Sequence, residues 1–214
     1  MTPIVLATTN THKVEEVRAV LAPLGVEVVS LAEIPGGREI PEPREDGDSF
    51  EANARIKAVY YAAALGRVCL ADDSGLEVDA LGGEPGVHSA YYAHGLEAGP
   101  GVARAERDAA NNAKLLRAME GVPQERRGAR FVCVMVAAAP SGAALASSRG
   151  TFEGRIGVAA RGANGFGYDP LLVLPDGRTS AELSPEEKNA RSHRGAAARG
   201  IAPALVRIAT GQVC

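Results

Sequence analysis

Two carboxylates stand side by side in Ala71-Asp72-Asp73-Ser74-Gly75, followed at once by a hydroxyl and a glycine. Such carboxylates can bind a hard cation or take a proton from water. The run before them, Val68 to Ala71, is short and apolar and reads as a buried strand; Leu76 to Asp79 reads as a second strand. The expectation is therefore a turn at Asp72-Asp73-Ser74-Gly75. Neighbouring side chains on an extended chain face opposite ways, so one aspartate faces a site while the other braces the turn. Gly75 permits a tight bend or a close backbone approach. The same residue types also make an ordinary turn, and local sequence leaves both readings open.

Four further stretches carry chemistry. Thr8-Thr9-Asn10-Thr11-His12-Lys13 follows a short apolar run and precedes a helix. Backbone N–H groups and the helix dipole favour an anion there, with a lysine one turn in. A capped helix start with a surface lysine has the same pattern. Arg44-Glu45-Asp46-Gly47-Asp48 is an acidic turn; its charges either complement the dipole of the next helix or reach a metal shared with Asp72 and Asp73. Gly162 to Pro170 sets Phe166, Tyr168 and Asp169 among three glycines. Either the loop lays aromatic faces against a flat ligand or it tucks them into the core. Lys188, Arg191, His193 and Arg194 follow a helix start at Ser184-Pro185-Glu186-Glu187. An unbroken helix turns Lys188 and His193 well away from each other, so one ligand touching both either spans the helix side or meets a helix that bends near Gly195.

Positioning these groups takes an α/β chain. Ile4 to Ala7 and Val26 to Ser30 read as strands around a helix bearing Val14, Val17, Leu21 and Leu24, which makes a β-α-β opening with a parallel pair. Asp48 and Glu51 resemble a capping box for a helix with Phe50, Ala54, Ala58, Tyr61, Ala62 and Leu65 on one face. A helix over Val102 to Met119, strands over Phe131 to Ala139 and Ala144 to Phe152 joined as a hairpin, a strand over Leu171 to Leu174, and a terminal helix over Ala202 to Ala209 complete the pattern. A hairpin after a parallel opening implies a mixed sheet.

The chain has 214 residues and a formal net charge of −3, which argues against a polyanion-binding surface but not against a local phosphate pocket. Its 3 cysteines, Cys69, Cys133 and Cys214, are neither paired nor spaced for zinc. No apolar run suits a membrane span or a signal peptide, so the expected setting is a reduced cytoplasm, with neither a membrane nor a nucleic acid polymer as partner.

In order along the chain, Thr8-Thr9-Asn10-x-x-Lys13, Ala71 to Leu76, Gly82-Gly83-x-Pro85-Gly86, Gly165 to Pro170, and Glu187-Lys188 with Ser192-His193-Arg194 together resemble the inosine triphosphate pyrophosphatase family. Its bacterial members are XTP/dITP diphosphatases, and the resemblance covers nearly the whole chain. It implies a mixed central sheet flanked by helices, two lobes with an active-site cleft between them, a homodimer, and Mg²⁺. The implied activity is hydrolysis of ITP, dITP and XTP to monophosphate and pyrophosphate.

The resemblance also implies roles for individual residues. Thr8, Thr9, Asn10, Thr11, His12 and Lys13 form the triphosphate turn. Asp73 is proton acceptor and metal ligand, and Glu45 is the second metal carboxylate. Ser74, Phe166, Gly167, Tyr168, Asp169, Lys188, His193 and Arg194 contact substrate. Two departures stand out: Ala52 precedes Asn53 where relatives usually carry glutamate, and Tyr91 stands where arginine is common. The chemistry is consistent on its own terms. A triphosphate brings about four negative charges, which call for oxygen-ligated Mg²⁺ and cationic side chains. A 6-oxo purine calls for donors to O6 and an acceptor for N1–H, with His193, Arg194, Asp169 and the amides of the Gly165 loop as candidates.

Overall fold

The computed structural model describes residues 2–95 and 103–212. Six strands, β1 (Ile4–Leu6), β2 (Val28–Ser30), β3 (Cys69–Val78), β4 (Gly128–Ala138), β5 (Ala144–Ile156) and β6 (Leu172–Val173), form a sheet of order β2-β1-β3-β4-β5-β6. β1 is parallel to both β2 and β3, with Val5 opposite Val29 and Cys69, while β5 and β6 are antiparallel. The sheet is mixed, as the β-α-β opening and the later hairpin require. Among the described residues five helices accompany it: α1 (Thr11–Leu21), α2 (Phe50–Leu65), α3 (Arg104–Ala118), α4 (Pro185–Arg191) and α5 (His193–Ala209). Among the described residues no helix is long and apolar enough to cross a membrane.

The chain divides into two compact units. The first contains the N-terminal stretch through Asp73, Cys133–Gly150, and the chain from Ser192 onward; the second contains Ser74–Val132 and Thr151–Arg191. The first unit's core joins Ile4, Leu6, Leu70, Cys133 and Met135 to Val14, Val17 and Leu21 of α1 and to Ala198, Ile201 and Leu205 of α5. In the second unit, Leu76, Val78, Phe131, Phe152 and Ile156 pack with Leu115 and Met119 and with Tyr168, Leu171 and Leu183.

Several sequence expectations change. The turn at Asp72–Gly75 does not form: β3 runs unbroken from Cys69 to Val78. Turn-forming residue types are overridden where a strand lies inside a sheet, because the ladder satisfies the backbone and strand preference follows context. α2 is capped by Ser49, not Asp48, the Ser49 hydroxyl accepting the Ala52 N–H at 3.2 Å. Leu24 belongs to a 3-10 turn after α1 and is 45% exposed, off the apolar face. The bend expected near Gly195 is a full break three residues earlier. Ser192 is extended, at φ −68 and ψ 156, and its hydroxyl caps α5 by accepting the Gly195 N–H at 3.0 Å. The terminal helix therefore begins at His193, with Pro203 in its interior. Val102, the expected start of α3, lies outside the described residues.

Candidate active site

In the first unit the paired aspartates have different environments, as strand alternation demands. Asp72 is 3% exposed, and its Oδ2 lies 2.9 Å from Lys13 Nζ and 3.2 Å from an Arg194 guanidinium nitrogen. Arg194 is 1% exposed and donates to Glu16 Oε2 at 2.6 Å. Burial pushes the Asp72 carboxyl up, but Lys13 and then Arg194 pull it well below the usual range. Arg194 shows the converse: burial disfavours its charge, and Asp72 and Glu16 more than offset it. Asp72 thus anchors two cations and does not brace a turn, because a buried carboxylate must be paired.

Asp73 has a looser setting. Its Oδ1 lies 3.4 Å from Lys57 Nζ, and its Oδ2 is buried without a hydrogen-bond partner among the described residues. Burial raises its carboxyl above the ordinary range, against the pull of Lys57 and Lys13, with Glu45 and Asp72 adding like charge. Lys57 Nζ also lies 2.8 Å from Glu45 Oε2. Burial lowers the Lys57 ammonium, and Asp73, Glu45 and Asp72 together more than reverse this. The structure therefore brings Glu45 and Asp73 to one ammonium group, although Glu45 belongs to the acidic turn and Asp73 to β3. Asn53 of α2 holds that turn: its Oδ1 accepts the Gly47 N–H at 2.8 Å. A Cβ on Gly47 would stand 2.7 Å from both Ala52 Cβ and Asn53 Oδ1, so only glycine allows the turn to lie this close to α2.

Lys57 and Asn53 were missed from sequence. The available signal was position: Lys57 is three residues after Ala54 and four before Tyr61, inside the apolar stripe of α2. A lysine there needs a partner. In the Thr8 to Lys13 stretch, Asn10 is the N-cap of α1. It accepts the His12 N–H at 3.2 Å, and its own N–H donates to Thr8 Oγ1 at 3.2 Å. Thr11, His12 and Lys13 make up the first turn of the helix.

The second unit holds the glycine-rich loop. Asp169 is 2% exposed, and its carboxylate accepts from Ser180 Oγ at 2.7 Å, Lys188 Nζ at 2.6 Å and the Phe166 N–H at 2.8 Å. Gly165 has φ +78, and a Cβ there would fall 2.1 Å from Asp169 Oδ2, so this position takes only glycine. The two loop aromatics part company. Tyr168 is core, its hydroxyl donating to Ser89 O at 2.8 Å. Phe166 is half-buried, with Lys188 Nζ 5.0 Å from its ring centroid. The amides of Phe166 and Gly167 already donate to Asp169 and Asp108. Ser74 is half-buried on β3; His193, which belongs to the first unit, is buried in the first turn of α5.

A divalent cation fits the first unit's donors. Asp73 and Glu45 offer hard carboxylate oxygens, one of them buried and unpartnered, around a point where a cationic group already sits. Among the described residues no group of three or more His, Cys, Asp or Glu side chains forms a cage. Two carboxylates suit a cation that takes its remaining ligands from water and phosphate.

Carboxylates able to hold a hard cation beside buried cationic side chains, on a mixed α/β sheet, are a set of groups whose chemistry suits a phosphate-bearing ligand. The model of the Ham1 family matches residues 4–204. A protein named dITP/XTP pyrophosphatase from Anaeromyxobacter sp. (strain Fw109-5) is 48% identical, covering 96% of this chain and 97% of its own. A second of that name, from Nitratidesulfovibrio vulgaris, is 51% identical over 92% of this chain and 93% of its own. The solved structure of a HAM1 protein from Coxiella burnetii superposes with a TM-score of 0.81 at 38% identity, covering 97% of this chain and 100% of that one. The crystal structure of a nucleoside-triphosphatase, dITP/XTP pyrophosphatase, from Mycobacterium abscessus gives a TM-score of 0.70 at 43% identity, covering 94% and 98%. This chain belongs to the Ham1 family.

Proposed function

We propose that this protein hydrolyses non-canonical purine nucleoside triphosphates, dITP, ITP and XTP, to the monophosphate and pyrophosphate, acting with Mg²⁺ as a cytoplasmic homodimer. The observation that carries the reading is the Glu45–Lys57–Asp73 cluster with its buried, unpartnered Asp73 oxygen. Relatives named dITP/XTP pyrophosphatase, alike over nearly the whole chain, supply the substrate class.

Asp73 is the general base. It takes a proton from a water whose oxygen bonds to the α-phosphorus while the bond from that phosphorus to the bridging oxygen breaks, and the electron pair leaves with pyrophosphate. A carboxylate raised by burial suits this task better than an ordinary one. Glu45 and Asp73 would hold Mg²⁺, which when bound neutralises phosphate charge and polarises the P–O bonds. Lys57 and Lys13 bring ammonium groups to the phosphates, as point charges that tolerate several phosphate geometries. Phe166 offers its ring to the base, and Lys188, fixed by Asp169, lies beside it.

A panel of nucleoside triphosphates with pyrophosphate detection tests the reading. Release from dITP, ITP and XTP in magnesium buffer should exceed release from dATP by at least about 100-fold, because donors aimed at O6 and an acceptor for N1–H leave adenine mispaired in the pocket. Activity should vanish on chelation. Equal turnover of all purines, or none with dITP, would overturn it.

A further inference from the structure

Phe166 lies between Gly165 and Gly167, both at positive φ, +78 and +62. A ring between two permissive residues is a poor platform unless something holds it, because stacking yields its energy only when the ring is already oriented. Three side chains of α3 provide a hold. Asp108 Oδ2 accepts the Gly167 N–H at 2.8 Å, and Asn112 Nδ2 donates to the Gly167 carbonyl at 3.0 Å. Arg104 places its guanidinium carbon 4.5 Å from the Phe166 ring centroid, with its Nε 3.9 Å from Asp108. The three residues are spaced by four, so they form one row along the helix. Both main-chain polar groups of Gly167, which flank it on successive peptide units, and the ring next to it are thereby held by one helix face. Nothing in a solvated helix start calls for this arrangement. A cation in the first turn opposes the helix dipole, and Arg104 Nε is buried without a hydrogen-bond partner among the described residues.

We propose that the Arg104–Asp108–Asn112 face of α3 is a positioning device for the purine base, fixing the Gly167 peptide and the Phe166 ring on which the base stacks. The inference rests on the functional reading above and adds residues to it. The face acts through Phe166, so it governs binding of the base and leaves both the phosphate end and the chemical step alone.

The test separates the two ends of the substrate. Calorimetric binding of dIMP reports the base together with one phosphate, binding of tripolyphosphate reports phosphates alone, and steady-state kinetics with dITP give KM and kcat. Asp108→Ala should raise KM and weaken dIMP binding by about 10-fold, the scale of a lost hydrogen bond to a charged group. It should leave kcat and tripolyphosphate binding within about twofold. Asp108→Asn keeps an oxygen that can accept the Gly167 N–H, and should restore most of the dIMP affinity. Arg104→Ala, a change at the helix start that leaves the core intact, should weaken dIMP binding about threefold, and it decides the matter if Asp108→Ala does not fold. Unchanged dIMP binding in both variants, equal losses for dIMP and tripolyphosphate, or a fall in kcat without a rise in KM would each overturn the proposal. A wild-type protein that neither turns over dITP nor binds dIMP would instead overturn the functional reading itself.

Discussion

At the scale of single residues, Asp72 and Asp73 show how one bond along a strand separates two roles. Asp72 is enclosed and its Oδ2 is shared by Lys13 and Arg194; Asp72 Oδ1 and Asp73 Oδ2 are each buried with no hydrogen-bond partner among the described residues, so the ion cluster on Asp72 is what separates the two. Removing charge from the first breaks a buried ion cluster; removing it from the second takes away the proposed base. Asp72→Asn should therefore lower stability by about 3 kcal/mol, since breaking a buried pair strands the opposite charge. Asp73→Asn should keep the wild-type melting temperature while turnover falls by about 10²–10⁴-fold. Thermal denaturation and turnover at saturating magnesium, run on both variants, check the pair. A stable Asp72→Asn protein beside an unfolded Asp73→Asn one would reverse the assignment. The sequence announced that two carboxylates with unlike roles stood here, because strand alternation is a local rule. It did not announce Lys57, because the partners that make a lysine tolerable on an apolar stripe come from Glu45, twelve positions earlier, and Asp73, sixteen later.

At the scale of elements, the legible features were those set by neighbours in sequence: the β-α-β opening, the apolar face of α2, the serine–proline start of α4, the hairpin of β4 and β5. The illegible ones were decided by pairing at a distance. β3 runs straight through four turn-forming residues beside β4, past the end of β1, whose register with it stops at Leu70. Ser192 starts a second helix because its hydroxyl caps Gly195, an outcome no composition rule separates from a serine on a continuous helix. A smaller tie shows charge acting on element placement. Glu33 closes a 3-10 turn after β2, its Oε2 accepting the Ser30 N–H at 2.8 Å and the Ser30 hydroxyl at 2.7 Å. The same oxygen meets Arg18 of α1, whose Nε donates to Val28 O at 2.9 Å. The Ser30 amide first, then its hydroxyl and Arg18, lower the carboxyl from 4.5 to about 2. A group depressed on folding stabilises the native state fully above its unfolded value and ceases to do so as pH falls through the folded one. Glu33→Gln should thus be less stable than wild type at pH 7, with the gap narrowing below pH 4.5 and closing near pH 2. Denaturant midpoints of the two proteins across that range check it; a gap independent of pH would assign the tie to packing.

At the scale of the whole molecule, two cysteines report whether the first unit opens in pieces or at once. Cys69 on β3 and Cys133 on β4 are free and fully buried. Burial raises both thiols from 9.0 to about 12. Nearby Asp72 adds to the effect at Cys133, and Arg67 opposes it at Cys69. Only a thiolate attacks a disulfide reagent. Near pH 8 the native thiols are both shielded and protonated, while in the unfolded chain they react at an ordinary rate. Modification must then pass through opening, and its rate reports the free energy of whichever opening exposes each sulfur. Cys214 lies outside the described residues, so the measurement belongs in a Cys214→Ser background. With an aromatic disulfide reagent at pH 8, neither thiol should react on the minute scale in folded protein, and both should react within seconds in concentrated guanidinium. In water the two should be labelled slowly at one common rate, because Leu70, beside Cys69, and Cys133 belong to the same core cluster. Cys133 Sγ also lies 3.9 Å from Asp72 Oδ2, next to the ion cluster that Asp72→Asn breaks. That variant should speed labelling of both cysteines by the same factor, and the factor should match its loss of equilibrium stability. Faster labelling of Cys133 alone would mean that the ion cluster guards only the stretch of β4 beside it and that the first unit is not one cooperative body.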